Sequence, residues 1–257
     1  MNTTGAQNTA AGYCSLKNNT TGNYNSAHGQ DSLQANTTAS HNTACGWAAL
    51  YTNTTGATNT AVGYQALYSN TTASDNTAIG KGSLYGTTTG TQNVAIGTQA
   101  GGDNVTGDNC ITLGHNAQSS SNSADNEVTL GNSSISNLRC ADTSISSLSD
   151  ARDKTDVVDL PVGLEFINTL RPVKFKWQTR EGVPSKDGTI RAGFLAQDLQ
   201  SSQNDSESDY LDLVMDNNPD KLEAKYGKLI PVLVKALQEA TTEINTLKAR
   251  VSALEAA

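Results

Sequence analysis

A glycine returns every 17 residues through the first half of the chain: Gly12, Gly29, Gly46, Gly63, Gly80, Gly97, Gly114 and Gly131. Its surroundings return with it. Alanine stands two places before it in six units (Ala10, Ala27, Ala44, Ala61, Ala78, Ala95) and leucine four places after it in five (Leu16, Leu33, Leu50, Leu67, Leu84). Asn-Thr-Thr or a close variant recurs in the same frame, as in "NTTGATNTAVGYQALYS" and "NTTASDNTAIGKGSLYG". The last units drift: Asn93 lies four before its glycine, whereas Asn109 and Asn126 lie five before theirs. Drift at the end of an array is expected, because terminal repeats lack one neighbour. A short fixed period means a quasi-one-dimensional stack in which each unit touches only the next.

Thr, Val and Ile favour strands, and apolar residues alternate around the glycine, as in "TAVGYQAL" and "NVAIG". Asn, Gly and Ser between them supply turns. The expectation is a β-solenoid or β-roll over residues 1–117. Each coil offers only one Ala, one Leu and often a Val or Ile. At about 25 cal/mol per Å² of buried apolar surface this is a thin core for a lone chain. Three chains pooled around one axis would relieve it, so a homotrimer is expected. The repeats resemble β-roll head repeats of trimeric bacterial adhesins and repeats of bacteriophage tail fibres. The Asn-Thr-Thr triplets match the N-glycosylation sequon, but here the match follows from a repeat that uses Asn and Thr as turn and ladder residues. Tyr13, Trp47, Tyr64, Tyr68 and Tyr85 either stack on sugars or simply pack at their repeat positions.

Charge divides the chain. Residues 1–117 hold six acidic or basic side chains, and residues 149–257 hold 32, of which 18 are Asp or Glu. Two separately built modules follow. The net charge of −8 disfavours nucleic acid, whose phosphates are held by clustered cations. No apolar run reaches the length that spans a bilayer, and the start "MNTTGAQNTA" lacks a signal peptide's basic region and apolar core. Because Met1 opens straight into a repeat, the chain reads as the end of a longer one. Cys14, Cys45, Cys110 and Cys140 form no CxxC pair, and His28, His41 and His115 show no metal-ligand spacing, so no metal and no cofactor is expected.

Residues 118–148 are rich in Ser and Asn but keep an apolar rhythm in Val128, Leu130, Ile135, Leu138, Ile145 and Leu148, which suggests a narrow neck with short strands. Beyond Ser149 the pattern becomes α+β. Leu164, Ile167 and Leu170 have helical spacing ended by Pro172; "VKFKW" and "TIRAGFLA" read as a strand and its return across a turn-rich "REGVPSKDG". "QDLQ" starts a short helix, "SSQNDSESD" is a loop and "YLDLVMD" a strand. A long helix is expected from about Lys221 to Ala256, with a kink or fresh start near Lys228 because Pro231 suits no helix interior. Tyr226, Ile230, Leu233, Leu237, Ala240, Ile244, Leu247, Val251 and Leu254 alternate spacings of four and three, the seam of a coiled coil. The early part of that seam serves equally well to pack on its own domain.

At the border between the modules stands "SLSDARDK", residues 147–154. Ser149 and Lys154, five apart, have the chemistry of a Ser–Lys dyad: the hydroxyl is a weak nucleophile until a base takes its proton. Lysine is a base only when neutral, and its reference pKa of about 10.4 falls with burial or a nearby cation. Arg152 would help; Asp150, Asp153 and Asp156 would oppose unless Arg152 pairs with them. Positions five apart do not share a helix face, so the stretch must bend or the partner must come from a neighbouring chain. On spacing alone the two are ordinary surface residues.

"SDARDK" is followed in order by "RPVKFKW", "RAGFLAQDLQ" and "YGKLIPVLVKALQEATTEINTLKARV". This set, covering residues 149–257, resembles the endosialidase-type C-terminal intramolecular chaperone, a self-cleaving domain of phage tail spikes and tail fibres. That family opens on Ser-Asp-x-Arg-x-Lys, carries Gly-Phe-x-Ala-Gln and ends in a long helix. The resemblance implies a scissile bond between Leu148 and Ser149, with Ser149 as nucleophile and Lys154 as general base. Asp150 and Arg152 match motif positions that would shape the loop. Gln197 matches the Gly-Phe-x-Ala-Gln segment and either supports the oxyanion or is a structural helix-start residue. It further implies a virion tail fibre whose chaperone is released in the infected host cytoplasm, while the mature shaft meets a host-surface glycan or protein. An uncut structural fibre is the alternative. A depolymerase is disfavoured, since residues 1–117 have four Asp, no Glu and no close acidic pair; a surface adhesin is disfavoured by the missing anchor.

Overall fold

The computed structural model describes residues 2–135, 137–139, 149–176 and 188–256. The chain divides into two compact units, Met1–Thr143 and Ser144–Ala257.

The first unit is a parallel β-solenoid. Eight three-residue strands, β1 (Thr9–Ala11), β2 (Ser26–His28), β3 (Thr43–Cys45), β4 (Thr60–Val62), β5 (Thr77–Ile79), β6 (Val94–Ile96), β7 (Ile111–Leu113) and β8 (Val128–Leu130), form one sheet in sequence order. Every strand pairs with the next at a register of 17, as in Thr43↔Thr60 and Thr60↔Thr77. β8 falls in the stretch read as a neck, so the sheet runs past residue 117 to Leu130. Ile145 and Leu148 of that stretch, Trp177 and most of the turn-rich "REGVPSKDG" lie outside the described residues.

The repeat glycine is required by close approach. A Cβ on Gly63 would lie 2.4 Å from the carbonyl oxygen of Gly80 in the next coil, and its φ of 138° is one L-residues rarely adopt. The repeat leucine is strained but buried. Leu33, Leu50 and Leu67 hold φ of 49–52°, a left-handed conformation that costs roughly 1–2 kcal/mol, yet all are fully buried, which returns roughly 1.5–3 kcal/mol. With the alanines they form the core.

That core is half polar. Asn25, Asn42, Asn59, Asn76 and Asn93 are fully buried, and each accepts, at Oδ1, the backbone N–H of the residue 17 later at 2.9–3.0 Å. A second column, Asn19, Asn36, Asn53 and Asn70, runs side chain to side chain, each Nδ2 donating to the Oδ1 one coil back at 2.8–3.1 Å from Asn36 onward. These are the asparagines of the sequon triplets, and their burial keeps them from any acceptor role in the folded coil. Cys110 takes the place of the next asparagine after Asn93 in the first column and donates its thiol to the Ala124 carbonyl.

The second unit is α+β. It comprises a 3₁₀ turn at Ala151–Asp153, α1 (Leu164–Thr169), the antiparallel pair β9 (Val173–Phe175) and β10 (Arg191–Gly193), α2 (Ala196–Asp205), the pair β11 (Val214–Met215) and β12 (Glu223–Ala224), and α3 (Ile230–Glu255). Phe166, Leu199, Leu211, Leu213, Val214, Leu229 and Val232 make its core. Three expectations shift. α2 continues through five residues of the "SSQNDSESD" stretch, because Leu199 anchors it in the core. "YLDLVMD" begins as a 3₁₀ turn at Asp209–Leu211 before β11. The long helix starts at Ile230, not near Lys221, because residues 223–224 pair as β12 and a 3₁₀ turn occupies Tyr226–Leu229. Pro231 sits in the first turn of α3, where its missing N–H costs nothing.

Candidate functional site

The border sequence folds back on itself. Asp150 caps the 3₁₀ turn at Ala151–Asp153: its carboxylate accepts the backbone N–H of Arg152 at 2.9 Å, the Asx-type cap that favours Asp there. Lys154 ends the turn with its N–H on the Ala151 carbonyl at 3.3 Å. One tight turn therefore separates Ser149 from Lys154, and the Lys154 Nζ donates to Ser149 Oγ at 2.7 Å. Both belong to one chain, so the bend alone brings together positions that a straight helix would set apart.

The Arg152 guanidinium grips the same Asp150 carboxylate, Nε at 3.0 and 3.1 Å and Nη2 at 2.5 Å. This pairing holds the Asp150 carboxyl below the usual carboxylate range and raises Arg152. It also occupies the Asp150 carboxylate, which accepts from Arg152 and makes no hydrogen bond to Lys154. Ser149, Arg152 and Lys154 are all exposed in the single chain.

Gln197 lies exposed in the first turn of α2 and makes no hydrogen bond to Ser149, Asp150, Arg152 or Lys154 among the described residues. Leu148, on the other side of the expected scissile bond, lies outside the described residues. No cluster of His, Cys, Asp and Glu suited to a metal occurs among the described residues, and no helix is long and apolar enough to cross a membrane.

The motifs behind the turn lock onto one another. Residues of "RPVKFKW" and "RAGFLAQDLQ" pair as β9 and β10, and Arg171 of the first bridges to Asp198 of the second at 2.8 Å. Tyr226 of the third motif accepts the Phe194 N–H at its hydroxyl (3.1 Å) and reaches the Phe194 carbonyl at 3.3 Å. Its ring stands edge-on to Phe194, and Gly193 has no room for a Cβ, which would lie 2.7 Å from that hydroxyl. The sequence placed Tyr226 at the head of the coiled-coil seam; its chain-internal role was missed. Glu239 was missed too. It reaches from α3 to accept the Leu164 N–H at 2.7 Å, capping α1, whose own N-cap, Gly163, has no side chain to do so. A helix opening on glycine before an acidic residue elsewhere was the one signal available.

α3 carries two apolar faces. Val232 and Ala236 are buried, and the helix packs against α1. The heptad seam faces outward, with Leu237 at 70 %, Ile244 at 50 % and Leu254 at 77 % exposure. On the solenoid, the outward strand residues Val62, Ile79, Ile96, Ile111, Val128 and Leu130 are also exposed.

Residues 149–206 match a peptidase family model described as the chaperone of endosialidase. No curated protein and no solved structure matches the chain.

Proposed function

We propose that this chain is the C-terminal part of a phage tail fibre whose last domain directs trimerisation and folding of the solenoid and then cuts itself off between Leu148 and Ser149; the match of residues 149–206 to the chaperone-of-endosialidase model, following a β-solenoid in the chain, supports this reading. The observation that carries the cleavage is the 2.7 Å contact between Lys154 Nζ and Ser149 Oγ.

In the reaction, neutral Lys154 takes the Ser149 hydroxyl proton and Oγ attacks the Leu148 carbonyl carbon. The Leu148–Ser149 amide breaks and the departing Ser149 nitrogen receives the proton from Lys154. The resulting ester between Leu148 and Ser149 Oγ is hydrolysed by water, which leaves a Leu148 carboxylate and restores the serine. Asp150 and Arg152 hold the turn that sets the dyad. Gln197 serves the site only after a movement or a contribution from another chain. Trimerisation is supported by two rows of exposed apolar side chains, the α3 seam and the outward strand face, since contiguous exposed apolar surface marks interfaces. The released chaperone stays in the infected cell, and the solenoid remains on the virion to meet a host-surface glycan or protein.

Denaturing mass spectrometry of the expressed chain tests this. Self-cleavage gives pieces of 148 and 109 residues, and Ser149→Ala and Lys154→Ala each leave the chain whole. Cleavage surviving in either variant refutes the dyad. A trimer that stays at full mass supports the second reading, an uncut structural fibre.

A further inference from the structure

We propose that the solenoid carries a binding site for a neutral sugar ring in a groove where two aromatic columns end. The proposal rests on the reading of the solenoid as the part that remains to contact the host, and adds to it a place and a ligand class.

One column occupies the position after each repeat glycine: Trp47 stacks on Tyr64 with centroids 4.9 Å apart, and Lys81 follows, its Nζ 5.9 Å from the Tyr64 ring centre. The other occupies the position five after the glycine: Tyr51, Tyr68 and Tyr85 stack in sequence at 5.2 Å, nearly parallel. The next place in that column is residue 102, a glycine. Tyr68 has rings on both sides, whereas Tyr85 has one side left without a ring and is 40 % exposed.

The gap is a groove of about 250 Å³ lined by Tyr64, Gln65, Lys81, Tyr85, Gln99 and Asp103 together with the glycines at 82 and 102. Its rim is fixed: Gln118 donates to the Gln99 carbonyl at 2.8 Å and accepts from the Asp103 N–H at 3.1 Å. The side-chain amides of Gln65 and Gln99 and the Asp103 carboxylate make no hydrogen bond among the described residues. A free aromatic face beside unused amide and carboxylate groups is the chemistry of a pyranose, which stacks its C–H face on a ring and hydrogen-bonds through its hydroxyls. Lys81 and Asp103 are the charged groups in the lining and they offset each other, so the ligand is neutral. The volume lies under the roughly 300–1,000 Å³ of pockets that hold drug-sized molecules, and suits a single ring.

Gly102 supplies the test. Its φ is not left-handed, and a Cβ there would meet its nearest atom at 3.4 Å, an ordinary contact. A Cβ is therefore accommodated, and Gly102→Tyr is expected to extend the column over Tyr85 and fill the groove. The full chain is titrated with methyl α-glucoside, methyl α-galactoside and N-acetylglucosamine by saturation-transfer NMR, with sialyllactose as an anionic probe. At least one neutral sugar is expected to bind, at least about tenfold more weakly in Gly102→Tyr and in Tyr85→Ala. Equal binding by wild type and Gly102→Tyr, binding of sialyllactose alone, or no binding of any probe overturns the proposal. Mass spectrometry of the same samples scores cleavage separately. An uncut chain that binds sugar refutes self-cleavage alone, and a cut chain that binds none refutes the sugar site alone.

Discussion

The asparagine column makes a quantitative demand on solenoid stability. Asn53 is fully buried; its Nδ2 donates to Asn36 Oδ1 at 3.1 Å and to the Gly56 carbonyl at 2.9 Å, and its Oδ1 accepts from Asn70 Nδ2 at 2.8 Å. In Asn53→Ala the Gly56 carbonyl keeps its bond from Asn42, and Asn70 keeps its bond to Ala73. Asn36 Oδ1 loses its donor and one Asn70 N–H loses its acceptor, both inside the coil. Each orphaned buried group costs about 1–3 kcal/mol, so the variant is expected to lose about 2–6 kcal/mol. Asn18→Ala, at an exposed asparagine one repeat position away, is expected to stay within about 0.5 kcal/mol of wild type. The column also contains a natural break. Thr87 stands where the next asparagine would be, and Asn70 Oδ1 has no partner. Thr87→Asn supplies the missing donor at the loss of the Thr87 hydroxyl's 2.7 Å bond to the Asn104 carbonyl, and is expected to change stability by less than about 1 kcal/mol. Guanidinium unfolding followed by circular dichroism reads all three, with unfolding half-lives compared where refolding fails. If Asn53→Ala matches Asn18→Ala, the amide ladder does not hold the solenoid and the reasoning is wrong.

Two further outcomes concern the second unit. Ile244→Lys combined with Leu247→Lys places charge on the exposed α3 seam without touching Val232 or Ala236, so the chain is expected to remain folded but run as a monomer in sedimentation at micromolar concentration; a trimer of unchanged mass would remove α3 from the interface. Asp212 accepts from Lys225 Nζ at 2.6 Å and lies 3.5 Å from Lys228, and the Lys225 bond first, then the two cations' charge, hold its carboxyl below the ordinary 3.8. The folded value being the lower, this stabilisation is present above pH 3.8 and lost as pH falls through the folded value. Asp212→Asn, tolerated at its left-handed φ of 51°, is expected to flatten the stability profile below that pH; an unchanged acid slope would show that the pair contributes nothing.

The solenoid was legible because every position sees the same surroundings 17 residues later, so a glycine that touches the next glycine's carbonyl, or an alanine under the strand, must repeat. Burial of the asparagines was not legible from polarity, which places Asn outside. Only their strict frame hinted at it, since a turn residue tolerates drift and a ladder residue does not. On α3 the heptad seam could be read from spacing, but Val232 and Ala236, the face that packs on its own unit, fall between the seam positions and were hidden by them. The helix start was misplaced because Lys221 to Tyr226 continues a helical spacing while its backbone pairs as β12. At the border, the residue types of the dyad were plain. The 3₁₀ turn that joins them was not, because it depends on a single Asp150 cap that has no periodicity to betray it.

The exposure of Ser149 and Lys154 bears on when the proposed reaction runs. Burial disfavours the charged form of an amine, so covering a lysine is what favours its neutral, basic form. The single chain leaves the pair exposed, and the α3 seam of the same unit is exposed as well. If the apolar surfaces close on two further copies and the dyad is covered in the same event, the base forms only in the assembled state, and cutting reports assembly. The solenoid gives that order a purpose. Its strands pair at i↔i+17 over near-identical coils, so in the proposed trimer chains meeting one coil out of step would still present like surfaces to one another. Nothing within the repeats penalises the slip strongly, and a register must come from elsewhere. In the proposed trimer, three α3 helices joined through one heptad seam would supply it, because a helix seam slips only by whole heptads and at the loss of a whole layer. Cleavage that waits for this clamp is made after the register is set and cannot be undone by refolding, which turns a marginal preference among registers into a kinetically fixed shaft.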